Sequence, residues 1–244
     1  MLTILSPHRD DAAFSLYGSL LKWHRSGIRL AVLNFFTISA YAPRISTREP
    51  EDVSRIRKAE DRSVLSRIGR NIRVRDCGLL DAPLRLGIDS AAVCRPDTQR
   101  FASASGREIA AMIDRHARSE LIIAPLGVGG HVDHVAVYEA AIAAVSPRRG
   151  RLAFYEDLPY ATWTPDGILT DRIRQTEAKT RLRLQPAVIR QKNAIWRKQG
   201  AISQYRSQIT PEEAASIAKF TIRYGGGERL WIPRRSRIWT VLAE

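Results

Sequence analysis

The chain has little with which to cross-link itself or to cross a membrane. Its 244 residues hold two cysteines, Cys77 and Cys94, and neither sits in a CxxC or similar metal spacing. That excludes a disulfide framework and a thiolate cluster, and it fits a reducing compartment, so the cytoplasm is the expected location. No apolar run approaches the ~20 residues that a spanning helix requires. Residues 1–5 have no basic stretch ahead of them, so a cleaved leader is not expected. Internal repeats and low-complexity tracts are lacking. Lysine is scarce too, with six among 39 basic residues and arginine making up the other 33.

What is present is a globular composition, 44% apolar and 26% charged, long enough to bury a substantial core. One domain over residues 1–244 is expected, with a core over about 1–160 and a basic C-terminal extension over about 161–244 packed on it. The net charge of +14 is spread along the chain. Such a spread serves as a solvated surface, or it attracts an anionic substrate or surface.

Apolar runs alternate with helix-length amphipathic stretches, the pattern of an α/β domain with a mainly parallel sheet. Strands are expected at residues 2–6, 28–37, 72–74, 121–126 and 152–156, and helices at 10–26, 51–68, 105–118 and 132–145. Residues 77–103 read as an irregular loop, long enough to be functional. Beyond them, residues 172–206 read as basic and mostly helical with a break at Pro186, and short strands are expected at 229–232 and 238–242.

Three of the five histidines lie in two strings, Ser6-Pro7-His8-Arg9-Asp10-Asp11-Ala12 and Gly130-His131-Val132-Asp133-His134. Each string follows an expected strand and opens a helix. In a doubly wound sheet the loops after the first strand of each half face one crevice, which would bring the strings together. His8 and Asp11, at i and i+3 of a tight turn, can chelate one cation, and His134 can complete a three-ligand set. Asp10 and His131 then remain beside it, a carboxylate to take a proton from water and an imidazole to stabilise an oxyanion. Each string alone has a plainer reading: Asp10 or Asp11 can cap a helix, and His-x-x-His can be structural. His24 and His116 read as structural or surface residues, and Arg57 with Glu60 as a surface pair.

Together the strings resemble the PIG-L/LmbE-like family of zinc-dependent N-deacetylases, which carry Pro-His-x-Asp-Asp after the first strand and His-x-Asp-His after the fourth. Here these are Pro7-His8-Arg9-Asp10-Asp11 and His131-Val132-Asp133-His134. The resemblance covers roughly the first 160 residues. It implies a Rossmann-like three-layer fold, one Zn2+ held by His8, Asp11 and His134, Asp10 as general base and His131 as the oxyanion partner. Fe2+ or Co2+ would also suit the ligand set. It further implies an N-acetylated amino sugar, free or conjugated, as the substrate. Many members place Glu after the Asp-Asp pair; Ala12 resembles a bacterial branch that includes glycopeptide-antibiotic deacetylases, and this bears on the substrate rather than the reaction.

Asp81, Asp157 and Tyr160 follow expected strands and are candidate contacts for sugar hydroxyls. Asp133 can orient a histidine from behind or cap its helix. The basic C-terminal third suits an anionic or bulky conjugate. Two other readings start from the charge. A nucleic-acid-binding module would use Trp196 and Tyr205 amid the basic residues, but no binding motif accompanies them. A metal-dependent phosphoesterase would call for a larger ligand set than is evident.

Overall fold

The apolar runs form the middle of a seven-stranded sheet of order β3-β2-β1-β4-β5-β7-β6. The computed structural model describes residues 1–69, 72–117, 121–145, 150–237, 239 and 242. β1 (Leu2–Ser6) pairs in parallel with β2 (Leu30–Ile38) on one side and β4 (Leu121–Pro125) on the other, with Leu2 opposite both Leu30 and Leu121. β3 (Arg73–Leu80) extends the sheet beyond β2, and β5 (Leu152–Tyr155) extends it beyond β4, both in parallel. Helices cover both faces, so β1 is buried at every position, which accounts for its lack of the polar alternation of a half-exposed strand.

The crossovers are α1 (Asp11–Arg25), α2 (Pro50–Ser66), α4 (Gly106–Ala117) and α5 (Val132–Val145), with a short α3 (Ala82–Leu86) after β3. The strand order reverses between β1 and β4, so the loops that follow these two strands open onto one crevice. The region 77–103 is more ordered than its sequence suggests. Residues 77–80 prolong β3, α3 follows, and 3-10 turns occupy Ser90–Ala92 and Gln99–Ser105. β3 was legible only in part because it is an edge strand rich in exposed charge.

The C-terminal third adds α6 (Asp166–Thr180), β6 (Leu184–Arg190), α7 (Ala194–Ile202), α8 (Pro211–Lys219) and β7 (Gly227–Pro233). β7 inserts between β5 and β6, antiparallel to both. A strand at β6 corrects the helical expectation for 172–206: β6 is the outer strand, where Pro186 is tolerated because one side of the ladder is unused. The strand expected over 238–242 falls outside the described residues apart from Trp239 and Leu242, whose backbone is helical.

Two buried polar clusters tie these layers together. α1 is broken at Leu16, and Glu228 of β7 caps the restarted helix, accepting from Gly18 N (3.1 Å), Ser19 N (2.7 Å) and Ser19 Oγ (2.6 Å). The buried Lys198 of α7 neutralises that carboxylate at 2.9 Å. At the break, Ser15 Oγ accepts from Leu158 N at 3.1 Å and so holds the loop after β5.

The second cluster surrounds Asp61 of α2, which accepts from Tyr205 Oη (2.9 Å) and Asn34 Nδ2 (3.2 Å) and is buried. Burial outweighs these bonds and pushes its carboxyl from the ordinary 3.8 up to about 7. The folded chain therefore keeps a proton that the unfolded chain releases, so stability falls as pH rises from about 4 to 7, by up to about 4 kcal/mol. Asp61→Asn mimics the protonated acid. It is expected to exceed the parent in stability by about 2–4 kcal/mol at pH 8 and to match it near pH 4. Urea midpoints at the two pH values check this; an offset independent of pH would contradict it.

Candidate active site

The first string forms a rigid turn at the end of β1. Ser6 Oγ donates to His8 O (2.5 Å) and accepts from Ala12 N (3.1 Å), while His8 N donates to Asp11 Oδ2 (2.7 Å). Phe36 N donates to Pro7 O at 2.8 Å and ties the turn to β2. The second string leaves β4 through a glycine turn in which Gly127, Gly129 and Gly130 have positive φ. A Cβ on Gly129 would lie 2.5 Å from Tyr160 Cβ, and one on Gly130 would lie 2.4 Å from Gln99 Nε2. Only glycine lets this turn pack so closely.

The two strings meet. Asp11 Oδ2 lies 3.3 Å from His8 Nδ1 and 3.3 Å from His134 Nε2, and one ligating atom from each of the three residues falls within 4.8 Å of the others. The far side of each imidazole is held by a carboxylate. His8 Nε2 lies 3.1 Å from Asp133 Oδ2, and His134 Nδ1 lies 2.7 Å from Asp157 Oδ1. These bonds orient both rings so that His8 Nδ1 and His134 Nε2 point at the centre.

The electrostatics call for positive charge at that centre. Burial disfavours charge on His8, yet bonds to Asp11 and Asp133 prevail and push it up to about 9. His134 is likewise raised, to about 10: burial opposes the shift and is overcome by Asp11 and Asp157. Asp11 lies well below the usual carboxylate range, because His134 and His8 outweigh its burial. His134 Nε2 is buried without a hydrogen-bond partner among the described residues. Two nitrogens and a carboxylate oxygen converging on one point, with one buried nitrogen unsatisfied, fit a divalent cation that takes the place of the protons.

His8, His131 and Asp133 form an overlapping cluster of similar size. Its carboxylate is already engaged by Ala82 N (2.9 Å), Arg85 (2.8 Å) and His8, so a cation there would sit against a guanidinium. The set His8, Asp11 and His134 therefore suits a cation better. Asp133 holds His8 from behind, one of the two roles open to it from sequence.

Asp10 and His131 border the centre and line a cavity of about 420 Å³ together with His8 and Asp11. Asp133 N donates to His131 Nδ1 (3.1 Å), which leaves the ring's Nε2 to carry the proton. Burial, then the charges of His134 and His8, push His131 well below its ordinary value and keep it neutral. Asp10 faces Arg57, whose Nη2 lies 3.4 and 3.3 Å from its two oxygens. This corrects the surface pair expected for Arg57 and Glu60. Arg57 is buried against Asp10, and Glu60 accepts from Ser207 N (2.8 Å) and Oγ (2.6 Å). A signal was present in the sequence: Val53, Arg57, Asp61 and Leu65 recur every four residues, which puts two charges on the core face of α2.

Asp81 and Tyr160 both line the cavity. Asp81 also caps α3 through Leu84 N at 3.2 Å, and Tyr160 packs edge-on against His134 and His131 at 5.0 and 5.7 Å. Asp157 is placed otherwise than expected. It is fully buried behind His134, with its oxygens taken by His134 and by Val128 N (3.1 Å), so it orients the His134 ring rather than facing the cavity. Gln208, Ile209 and Glu213 of the C-terminal third also line the cavity, and no local motif marked them.

A doubly wound α/β protein in which two histidines and a carboxylate converge at the topological switch point is the class that fold and site define. The family model described as PIG-L, GlcNAc-PI de-N-acetylase, matches residues 3–145, and the chain belongs to that family. A 2′-N-acetylparomamine deacetylase from Streptomyces fradiae is 36% identical over 159 residues, which is 65% of this chain and 57% of that protein. The match thus spans little more than half of the relative's length. Among solved structures, a deacetylase of teicoplanin biosynthesis superposes with a TM-score of 0.67 at 22% identity, over 94% of this chain and 96% of the other. The A40926 pseudoaglycone deacetylase gives 0.66 at 24% identity, over 95% and 96%. At these identities the two structures establish the fold. No helix among the described residues is long and apolar enough to cross a membrane.

Proposed function

We propose that this chain hydrolyses the N-acetyl, or another small N-acyl, amide of an amino sugar or its conjugate. The observation that carries the reading is the convergence of His8 Nδ1, Asp11 Oδ2 and His134 Nε2, with Asp10 and the Nε2–H of His131 beside them on one cavity. The similarity to a 2′-N-acetylparomamine deacetylase supports the choice of an amino sugar.

His8, Asp11 and His134 would hold zinc, and Fe2+ or Co2+ also suit this donor set; the bound cation supplies Lewis acidity toward water and the amide carbonyl. Asp10 takes the proton from the attacking water, and Arg57 holds its carboxylate in place. His131 donates its Nε2–H to the carbonyl oxygen as that oxygen gains charge. The water oxygen bonds to the carbonyl carbon, the C–N bond breaks, and Asp10 returns its proton to the departing nitrogen. Acetate and a free amine leave. Asp81 and Tyr160 line the cavity where the sugar would sit. The C-terminal third contributes Gln208 to the same wall, so the whole chain works as one domain.

The test is amine release from N-acetylglucosamine, N,N′-diacetylchitobiose and 2′-N-acetylparomamine. Release is expected with at least one, abolished by a chelator and restored by zinc. No release from any of them in the metal-loaded protein would sink the proposal.

A further inference from the structure

Another cavity of about 420 Å³ shares no lining residue with the one at the candidate site. Five cationic side chains line it: Lys22 and Arg25 from the last turn of α1, Arg190 from the end of β6, Lys192 from the turn that follows, and Arg197 of α7. No carboxylate lines it among the described residues. Arg25, Arg190, Lys192 and Arg197 form no ion pair among those residues either. The dipole of α1 accounts for two of the five charges, because a helix C-terminus favours cations. It does not account for Lys192 and Arg197. These lie within a turn of the N-terminus of α7, its positive end, where no acidic residue occupies the first turn. Asn193 at that end makes no side-chain capping bond, so the open N–H groups there add to the positive potential. Gln191 fixes the arrangement: its Nε2 donates to Gly18 O at 2.5 Å, and its Oε1 accepts from Arg25 Nη1 at 3.3 Å.

We propose that this cavity binds a phosphorylated small molecule, at a site separate from the catalytic centre and independent of the deacetylase reading. Like charges gathered on one concave wall repel one another, and a multiply charged anion between them turns that repulsion into attraction. A carboxylate carries one charge and would neutralise one cation of the five. A diphosphate, or an anion of similar charge, meets several at once. Three of the five are arginines, whose planar forks each engage two phosphate oxygens, and the two lysines add point charges. The volume lies within the ~300–1,000 Å³ range of small-molecule sites. A single-stranded nucleic acid would call for aromatic side chains on which its bases stack. None lines this cavity among the described residues; Trp196, though 77% exposed on α7, is not on its wall.

The experiment is calorimetric titration of the full chain with pyrophosphate and with orthophosphate at fixed ionic strength. Pyrophosphate is expected to bind saturably and about tenfold more tightly than orthophosphate, since its second phosphoryl group reaches further cations. Arg190→Gln combined with Arg197→Gln is expected to weaken pyrophosphate by more than about tenfold. Arg174→Gln combined with Arg183→Gln removes the same charge outside the cavity and is expected to stay within about twofold of the parent. All four arginines are exposed, so neither double variant challenges the fold. Pyrophosphate that fails to saturate the parent overturns the site. Equal weakening in the two double variants also overturns it, because net charge alone would then account for the binding. Displacement of pyrophosphate by a single-stranded oligonucleotide overturns the small-molecule ligand in favour of a nucleic-acid surface.

Discussion

Asp10→Asn is expected to lower the rate of amine release by about 10²–10⁴-fold, the range for loss of a general base, with the bound cation retained. The two functions separate in the proposed scheme because its ligand carboxylate is Asp11, whose Oδ2 faces His8 and His134, while Asp10 faces Arg57 and the cavity. Asparagine keeps the shape and can still accept from Arg57, so the fold is not challenged. What it loses is the ability to take a proton at neutral pH. The paired readout is amine release and cation content per chain. Turnover within tenfold of the parent would remove Asp10 from the role of base, and a lost cation would make it a ligand instead.

His134→Ala is expected to abolish amine release and to weaken cation binding by more than about 100-fold, beyond the effect typical of losing a supporting residue. His134 is fully buried on the first turn of α5; its Nδ1 is held by Asp157, and its Nε2 faces Asp11 at 3.3 Å with no hydrogen bond among the described residues. Removing it takes away one member of the proposed ligand set and leaves Asp11 facing His8 alone. Asp157→Asn is the milder companion. It weakens the bond that turns the ring toward the centre, and a loss of cation affinity of about 10–100-fold is expected. Metal titration with a competing chelator, alongside a thermal melt, separates lost ligation from lost folding. Cation affinity unchanged in His134→Ala would rule out this ligand set.

The strings at His8 and His131 could be read as one site because a doubly wound sheet places its first and fourth strands side by side, and the pairing of Leu2 with Leu121 bears that placement out. Arg57 could not be paired with Asp10 from sequence, since 47 residues and two crossings of the sheet separate them. Its position on the core face of α2 was a signal that the surface-pair reading passed over. Asp157 was visible as a residue after a strand, but a carboxylate there can turn outward to a sugar or inward to a ligand. In the fold it turns inward, to His134 Nδ1 at 2.7 Å and Val128 N at 3.1 Å.

β6 shows a similar limit. Leu184, Ala187 and Val188 suit a strand, but Pro186 and the basic flanks argue against one until the outer position in the sheet is known. Cavity walls built by distant segments, such as Gln208 and Glu213 beside His8, leave no local pattern at all.

By itself the sequence determined the alternation of strand and helix, the family to which the chain belongs and the two strings that the fold brings together, because periodicity and close spacing are properties of neighbours along the chain. The tertiary structure alone decided which nitrogen of each histidine faces the centre, which carboxylate stands behind it, and that basic residues of α1, β6 and α7 line one cavity. Those choices depend on side chains brought together from remote segments, where burial raises the energetic stakes of every unpaired polar atom.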